Sequence, residues 1–257
     1  MATLNQHYAS KNTGTTVRKT FMVPLNELYV QPGNNVRDID PEHVEEFRQA
    51  YAAGEFVPAL AVKVTEKGVK IIDGHHRYAG ALLAAAAADG LDLRLECKDF
   101  IGSEADEVAF MVTSSQGRPL TPLERGQAYL RLRNQGLSNT EIAAKVKRSA
   151  SDIAFHIQLI ECEEPVKDMV KAGEMGATTA VALQKEHGPA AGKVATELKE
   201  KAVKSGKAKV TRPGFSAAKL KQAMAIVSRA NRNGDSFELD TADAEALDSL
   251  IKEYLSF

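Results

Sequence analysis

Tryptophan is absent from this chain of 257 residues, aromatic side chains amount to 6%, and cysteine occurs only twice, at Cys97 and Cys162. With no CxxC pair and no Cys/His cluster, the cysteines exclude a disulfide framework and a structural zinc site. A reducing, cytoplasmic setting is expected. Long apolar runs are also missing: Ala79–Ala88 is mostly alanine, is interrupted by Gly80, and falls short of the about 20 residues that cross a bilayer. The first residues, MATLNQHYASKNTGTT, lack the basic and then apolar regions of a secretory signal. No membrane partner is expected.

Net charge is almost absent too, at −1, but its distribution is uneven. Residues 1–117 hold 11 basic and 16 acidic side chains, 118–232 hold 21 and 11, and 233–257 hold 1 and 7. The middle block alone carries the charge that attracts a polyanion such as DNA.

Composition and periodicity divide the chain into five parts. Residues 1–18 are polar and without period, as in a flexible tail. Residues 19–117 alternate strands and helices and define an α/β domain. Short strands are expected near Thr20–Leu25, Ala59–Val64, Gly68–Ile72 and Leu91–Phe100, with helices at Pro41–Ala52, about His75–Ala88 and Ser103–Thr113. Residues 118–205 are helical almost throughout, beginning at the Thr121-Pro122-Leu123-Glu124 cap. Residues 206–215 form a Lys/Pro/Gly linker. Residues 216–257 hold two helices flanking an Asn233-Gly234 turn and a short strand, a mostly helical C-terminal unit.

Asp73-Gly74-His75-His76-Arg77 joins the end of a strand to the start of a helix. Such a junction offers unpaired amides and the positive end of the helix dipole, which is the physics of a phosphate site. Gly74 allows close approach, and His75, His76 and Arg77 add donors. Adjacent helical histidines point about 100° apart, which disfavours a shared metal. An Arg77–Asp73 ion pair with one histidine packed in the core is the alternative reading of the same residues.

The segment LSNTEIAAKVKRSASDIAFHIQLIE has the rhythm of a helix-turn-helix. Ser138 with Glu141 fits a capping box, Ala143 suits a close helix crossing, and Ser149 caps the second helix. Ile153, Ile157 and Ile160 face inward. Ser149, Ala150, Ser151, Ala154, Phe155 and Gln158 lie on the opposite face, nearest a major groove, while Lys145, Lys147 and Arg148 are expected on phosphates. Lys147 stands where such turns usually place glycine. The second helix contains Asp152 but no Lys or Arg from Ser149 to Leu159, so arginine-to-guanine readout is left to Arg148.

Taken together, VPLNEL, NNVRDIDPEHVEEFRQAY, Gly54–Pro58 and VKIIDGHHRYAGAL resemble the N-terminal domain of the ParB/sulfiredoxin superfamily, and the helices after Thr121 resemble the ParB helix-turn-helix domain. The resemblance covers roughly residues 19–190. It implies a DNA-binding protein of plasmid, phage or chromosome partition, or of transcriptional regulation, that binds CTP with Mg²⁺. It also implies a nucleotide site at Arg37, Gly54, Gly74, His75, His76, Arg77, Ser114 and Arg118. His75 occupies the place of the sulfiredoxin cysteine, which argues against sulfinic-acid reduction. Where ParB proteins carry Glu-Asn-x-x-Arg, this chain has Thr113, Ser114, Ser115, Gln116 and Gly117, with Arg displaced to Arg118. At most weak nucleoside triphosphate hydrolysis is expected, and no catalytic residue or metal ligand is assigned. A phosphotransferase or nuclease using the DGHHR loop, or a non-catalytic adaptor, remain as alternatives. The apolar stripes Leu220-Ala223-Ile226-Val227 and Leu247-Leu250-Ile251-Tyr254 are too much for a unit this short to bury, and imply a homodimer. A partition ATPase is a further implied partner.

Overall fold

The computed structural model describes residues 19–87, 92–114, 119–204, 208–210, 217–233 and 236–255, together with Ala9 and Gly206. It divides into two compact units, the first ending at Cys162 and the second beginning at Glu163.

In the first unit, β1 (Phe21–Pro24), a 3-10 turn at Leu25–Glu27 and β2 (Leu28–Tyr29) lead to α1 (Pro41–Ala52). There follow β3 (Leu60–Thr65), β4 (Gly68–Asp73), α2 (His75–Ala87), β5 (Arg94–Asp99) and α3 (Glu104–Thr113). The five strands make one mixed sheet in the order β1-β5-β3-β4-β2. The outer pairs differ: β1 runs antiparallel to β5, and β2 runs parallel to β4. β2 is too short to carry a period and has no counterpart in the sequence reading.

Local chemistry sets the helix starts. Asp40 accepts a hydrogen bond from the Glu42 amide, and Pro41 opens α1, where its missing N–H costs nothing. Ser103 and Asp106 form a reciprocal capping box on α3. One core of the sheet, made of Leu28, Leu60, Val62, Ile71, Leu95 and Cys97, takes in Ala81 of α2 and Tyr51 of α1. Burial pushes the Cys97 thiol up to about 11, so it stays a protonated, inert core group.

Lys63 and Lys70 sit directly opposite each other on β3 and β4, an arrangement that repels unless it is bridged. The bridge is Glu107 of α3, 2% exposed, whose two oxygens take Lys63 Nζ at 3.0 Å and Lys70 Nζ at 2.7 Å.

The helices that follow are α4 (Pro122–Asn134), α5 (Asn139–Val146) and α6 (Ala150–Ile160), each opened by the expected residue, Thr121, Ser138 and Ser149. They do not form a separate body. Val36, Val108 and Met111 share one core with Tyr129, Leu132, Ile142, Ile153 and Ile157. Arg131 of α4 donates to the Asn34 carbonyl at 2.8 Å, and Glu124 accepts from the Asp38 amide at 3.1 Å. The division expected after Gly117 therefore falls inside the first unit, because α3 packs against both the sheet and α4–α6.

The second unit holds α7 (Glu164–Lys171), α8 (Ala177–His187), α9 (Ala191–Lys204), α10 (Ala217–Arg229), the hairpin of β6 (Asn231–Asn233) and β7 (Ser236–Glu238), and α11 (Thr241–Leu255). Part of the expected linker is not a linker: Val210 is buried and bridges Met175, its amide donating to the Glu174 carbonyl at 2.7 Å. Residues 211–216 and, Ala9 aside, the expected tail at 1–18 lie outside the described residues. Arg229 grips Asp243 through two nitrogens and ties α10 to α11. Among the described residues no helix is long and apolar enough to cross a membrane.

Candidate nucleotide cleft and nucleic-acid interface

The turn from β4 to α2 is made by Gly74 at φ +106°, where a Cβ would meet Leu60 Cγ at 2.9 Å and Arg77 Cζ at 3.1 Å. Only glycine suits a position that needs both that backbone and that closeness. Tyr78 donates the first helical bond, to the Gly74 carbonyl, so the amides of His75 to Arg77 precede the helical ladder. They open on a cleft of about 450 Å³ that Arg37, Gly74, His75, His76, Arg77 and Ser114 all line, together with Asn35, His43 and Asp73. Of the candidate nucleotide residues, Gly54 is not among the lining, since its amide closes the end of α1 on the Tyr51 carbonyl. Arg118 lies outside the described residues.

The cleft side chains are more committed than their types suggest. Arg77 donates to Asp73 Oδ2 at 2.7 Å and to the carbonyls of Pro58 at 2.9 Å and Ala59 at 2.7 Å. Arg77, read from sequence as a donor to a phosphate, is thus folded back over Gly74. Asp73 Oδ1 accepts from the Ser114 hydroxyl at 3.1 Å. His76 is buried, and its Nε2 lies 3.0 Å from the Asp40 amide. That nitrogen accepts, which makes the imidazole a neutral link between the starts of α1 and α2. His75 is 6% exposed, and burial holds it down at about 4, outweighing the upward pull of Asp73. Among the described residues its Nε2 has no hydrogen-bond partner, and neither does the buried Nδ2 of Asn35, which lines the same cleft. The alternative reading of the motif, an Arg77–Asp73 pair with a core histidine, is the arrangement present.

These residues do not fit a magnesium ion. Mg²⁺ is bound in octahedral geometry by one or two carboxylates plus substrate phosphates. Among the described residues the carboxylate lining the cleft is Asp73. One of its oxygens already faces a guanidinium and the other a hydroxyl proton.

The second site is built differently. Lys147 adopts the left-handed conformation, φ 57° and ψ 46°, and its amide bonds back to the Ala143 carbonyl to end α5. It is the one non-glycine residue at positive φ among those described. α6 then begins at Ser149, whose Oγ accepts from the Asp152 amide. α4 and α6 approach so closely that a Cβ on Gly126 would lie 2.5 Å from the His156 carbonyl oxygen. Ile153, Ile157 and Ile160 are buried as the spacing requires, Ala150 and Ser151 are exposed, and Ala154, Phe155 and Gln158 are half-buried.

Asp152, the acidic residue on this helix, is spent internally. Tyr129 donates to it at 2.8 Å, and Arg125 stands 3.8 Å away. Burial and that carboxylate push the Tyr129 hydroxyl upward. Lys145, read as a phosphate contact, is instead paired with Asp106 of α3, which the ammonium and Ser103 hold well below the usual carboxylate range. Lys147 and Arg148 are exposed.

Residues 118–212 match the family model described as the ParB HTH domain. Over that segment the chain is similar to ParB helix-turn-helix domains. Beyond that segment it is ParB-like. It is 26% identical over 161 residues to the chromosome-partitioning protein Spo0J of Thermus thermophilus, covering 63% of this chain and 58% of that one. It is 27% identical over 175 residues to a probable chromosome 1-partitioning protein ParB of Deinococcus radiodurans, covering 68% and 58%. The chain thus spans little more than half the length of these curated relatives. A solved C-terminally truncated ParB from Caulobacter crescentus, complexed to the centromeric parS site, shares the fold at 17% identity with a TM-score of 0.50, over 74% of this chain and 93% of that one.

Three features had no place in the sequence reading: the Glu107 bridge, the Lys145–Asp106 pair and the Tyr129–Asp152 bond. One signal was available. Lys70 interrupts the apolar run Val69-Lys70-Ile71-Ile72, and Glu107 lies beside Val108 in an apolar helix, so each marks a buried charge in need of the other.

Proposed function

We propose that this ParB-like chain is a DNA-binding protein of the partition type, which lays α6 in the major groove. Lys147 and Arg148 hold phosphates, Ser151 and Gln158 read bases, and Phe155 packs on the groove wall. The observation that carries this reading is the outer face of the helix-turn-helix. Among the described residues no side-chain hydrogen bond or ion pair engages Lys147, Arg148 or Ser151, while Asp152 on the same helix is held by Tyr129 and faced by Arg125. The Caulobacter ParB bound to parS supports duplex DNA as the partner.

The cleft at the start of α2 takes a nucleotide, CTP being the one the superfamily resemblance implies. Among the described residues the carboxylate that lines it, Asp73, is engaged by Arg77 and Ser114, which favours binding over phosphotransfer or nuclease chemistry. α10 and α11 pair two copies of the chain. Ile226 and Leu250 are buried within the unit, whereas Leu220, Met224, Ile251 and Tyr254 are exposed, a surplus of apolar surface that a symmetric partner covers. A partition ATPase remains a partner implied by the same resemblance.

Fluorescence anisotropy on duplex DNA across a salt series tests the main claim. Affinity is expected to fall steeply with salt; salt-insensitive association, or none, overturns it. Light scattering tests the pairing, with a dimer for the full chain and a monomer for a truncation ending at Pro213.

A further inference from the structure

We propose, resting on the DNA-binding reading above, that Asp106 of α3 restrains the helix-turn-helix on duplex DNA of any sequence by holding Lys145 away from the phosphates. The strength of the grip is thereby set from outside the helix-turn-helix itself. Lys145 lies in the last turn of α5, two residues before Lys147 and three before Arg148. At most about 7 Å of chain separates it from the first of them. By position it belongs with those two exposed cations. Its ammonium instead meets the Asp106 carboxylate.

Asp106 is fixed where it can keep that hold. Its Oδ2 accepts from the Ser103 amide at 2.9 Å and from the Ser103 hydroxyl at 2.7 Å, within the capping box that opens α3. Its Oδ1 is left to Lys145. The ammonium and Ser103 hold the carboxyl well below the usual range, so it is charged at neutral and mildly acidic pH alike. α3 is anchored in turn. Glu107, the next residue, takes Lys63 and Lys70 of the sheet, and Val108 and Met111 share a core with Ile142, Ala143 and Val146 of α5. Lys145 therefore comes to the carboxylate rather than the reverse. Glu141, one turn earlier on α5, spends its Oε2 on the Ser138 amide and hydroxyl, at 2.8 and 2.7 Å.

The affinity of a protein for any duplex grows with the number of phosphates its cations neutralise, because each contact releases condensed counterions. A lysine whose charge is matched by a carboxylate in contact neutralises none. Both partners here are half-exposed, and an ion pair so placed is worth little to the fold. Removing the charge of Asp106 then costs the structure little and returns one full cation to the DNA-facing turn.

Fluorescence anisotropy of the full chain on a duplex of arbitrary sequence, across a NaCl series, tests the proposal on the parent chain, Asp106→Asn, Lys145→Ala and the double variant. Asp106→Asn keeps a side-chain oxygen for the Ser103 cap and removes the charge. It should steepen the log–log salt slope by about 1, roughly 3.5-fold in affinity over a fourfold change in salt. In the Lys145→Ala background the same substitution should leave the slope where it was. An unchanged slope in Asp106→Asn, or an equal steepening without Lys145, overturns the proposal and leaves the DNA-binding reading standing. No binding by any of the four proteins overturns that reading and the proposal with it. Thermal melts check each fold, and Asp106→Ser repeats the comparison if the Asn variant melts early.

Discussion

Arg77 and Arg148 both stand at the start of a helix, yet Arg77 makes three hydrogen bonds to its own fold and Arg148 is exposed with its side chain unspent. The cleft loop is closed upon itself: its arginine, its acid and its two histidines are paired, buried or neutral. The outer face of α6 is open, and the groups that could spoil it, Asp152 and Tyr129, satisfy each other in the interior. A residue type at a helix start thus does not say whether its charge is on offer. That depends on whether another acid or carbonyl reaches it first.

The largest expected effect sharpens this contrast directly. Arg77→Ala leaves Asp73 and two carbonyls without their donor and should cost about 2–3 kcal/mol in denaturant unfolding. Arg148→Ala should stay within about 0.5 kcal/mol. Equal losses would mean that the two arginines do not differ in the way described. On DNA the order reverses: replacing Lys147 and Arg148 with Ala should make the salt dependence shallower by roughly 2 in the log–log slope, about tenfold in affinity over a fourfold change in salt. Lys145→Ala, already paired with Asp106, should change that slope far less.

A smaller effect appears only on acidification. His75 has its affinity for protons lowered by burial, from an ordinary 6.5 to about 4. Its unfolded form therefore binds protons first, and stability that is full above about 6.5 declines as pH falls toward 4. Thermal melts at pH 7 and pH 5 should draw closer together in His75→Gln; an undiminished gap would place the acid sensitivity elsewhere. The smallest effect is a gain. Lys147→Gly relieves a left-handed residue and should stabilise the fold by about 1 kcal/mol, measured at high salt and without DNA.

Helix boundaries were largely legible because their signals are local. Pro41–Ala52 matches the expected helix, and the caps at Thr121, Ser138 and Ser149 are the residues the sequence offers. The left-handed turn at Lys147 was also readable from its place between two capped helices. Pairings between distant segments were not. Nothing adjacent to Lys145 announces Asp106, 39 residues earlier, and nothing near Asp73 announces Ser114. β2 and β6, of two and three residues, exist only through the strands they join. The phosphate-donor role expected of Arg77 illustrates the same limit: the DGHHR string indicates where the chain turns, and only the folded loop brings Pro58 and Ala59 within reach.

The Glu107 bridge carries a consequence for how this unit comes apart. One carboxylate holds lysines from two neighbouring strands, so β4 cannot part from α3 without leaving a buried charge uncompensated, and β3 is tied to the same carboxylate through the half-buried Lys63. Strand separation and helix release then become a single event. Amide protons of β3, β4 and α3 should exchange with solvent in one shared opening, while those of the hairpin β6–β7 exchange on their own schedule. In Glu107→Gln the shared opening should split in two.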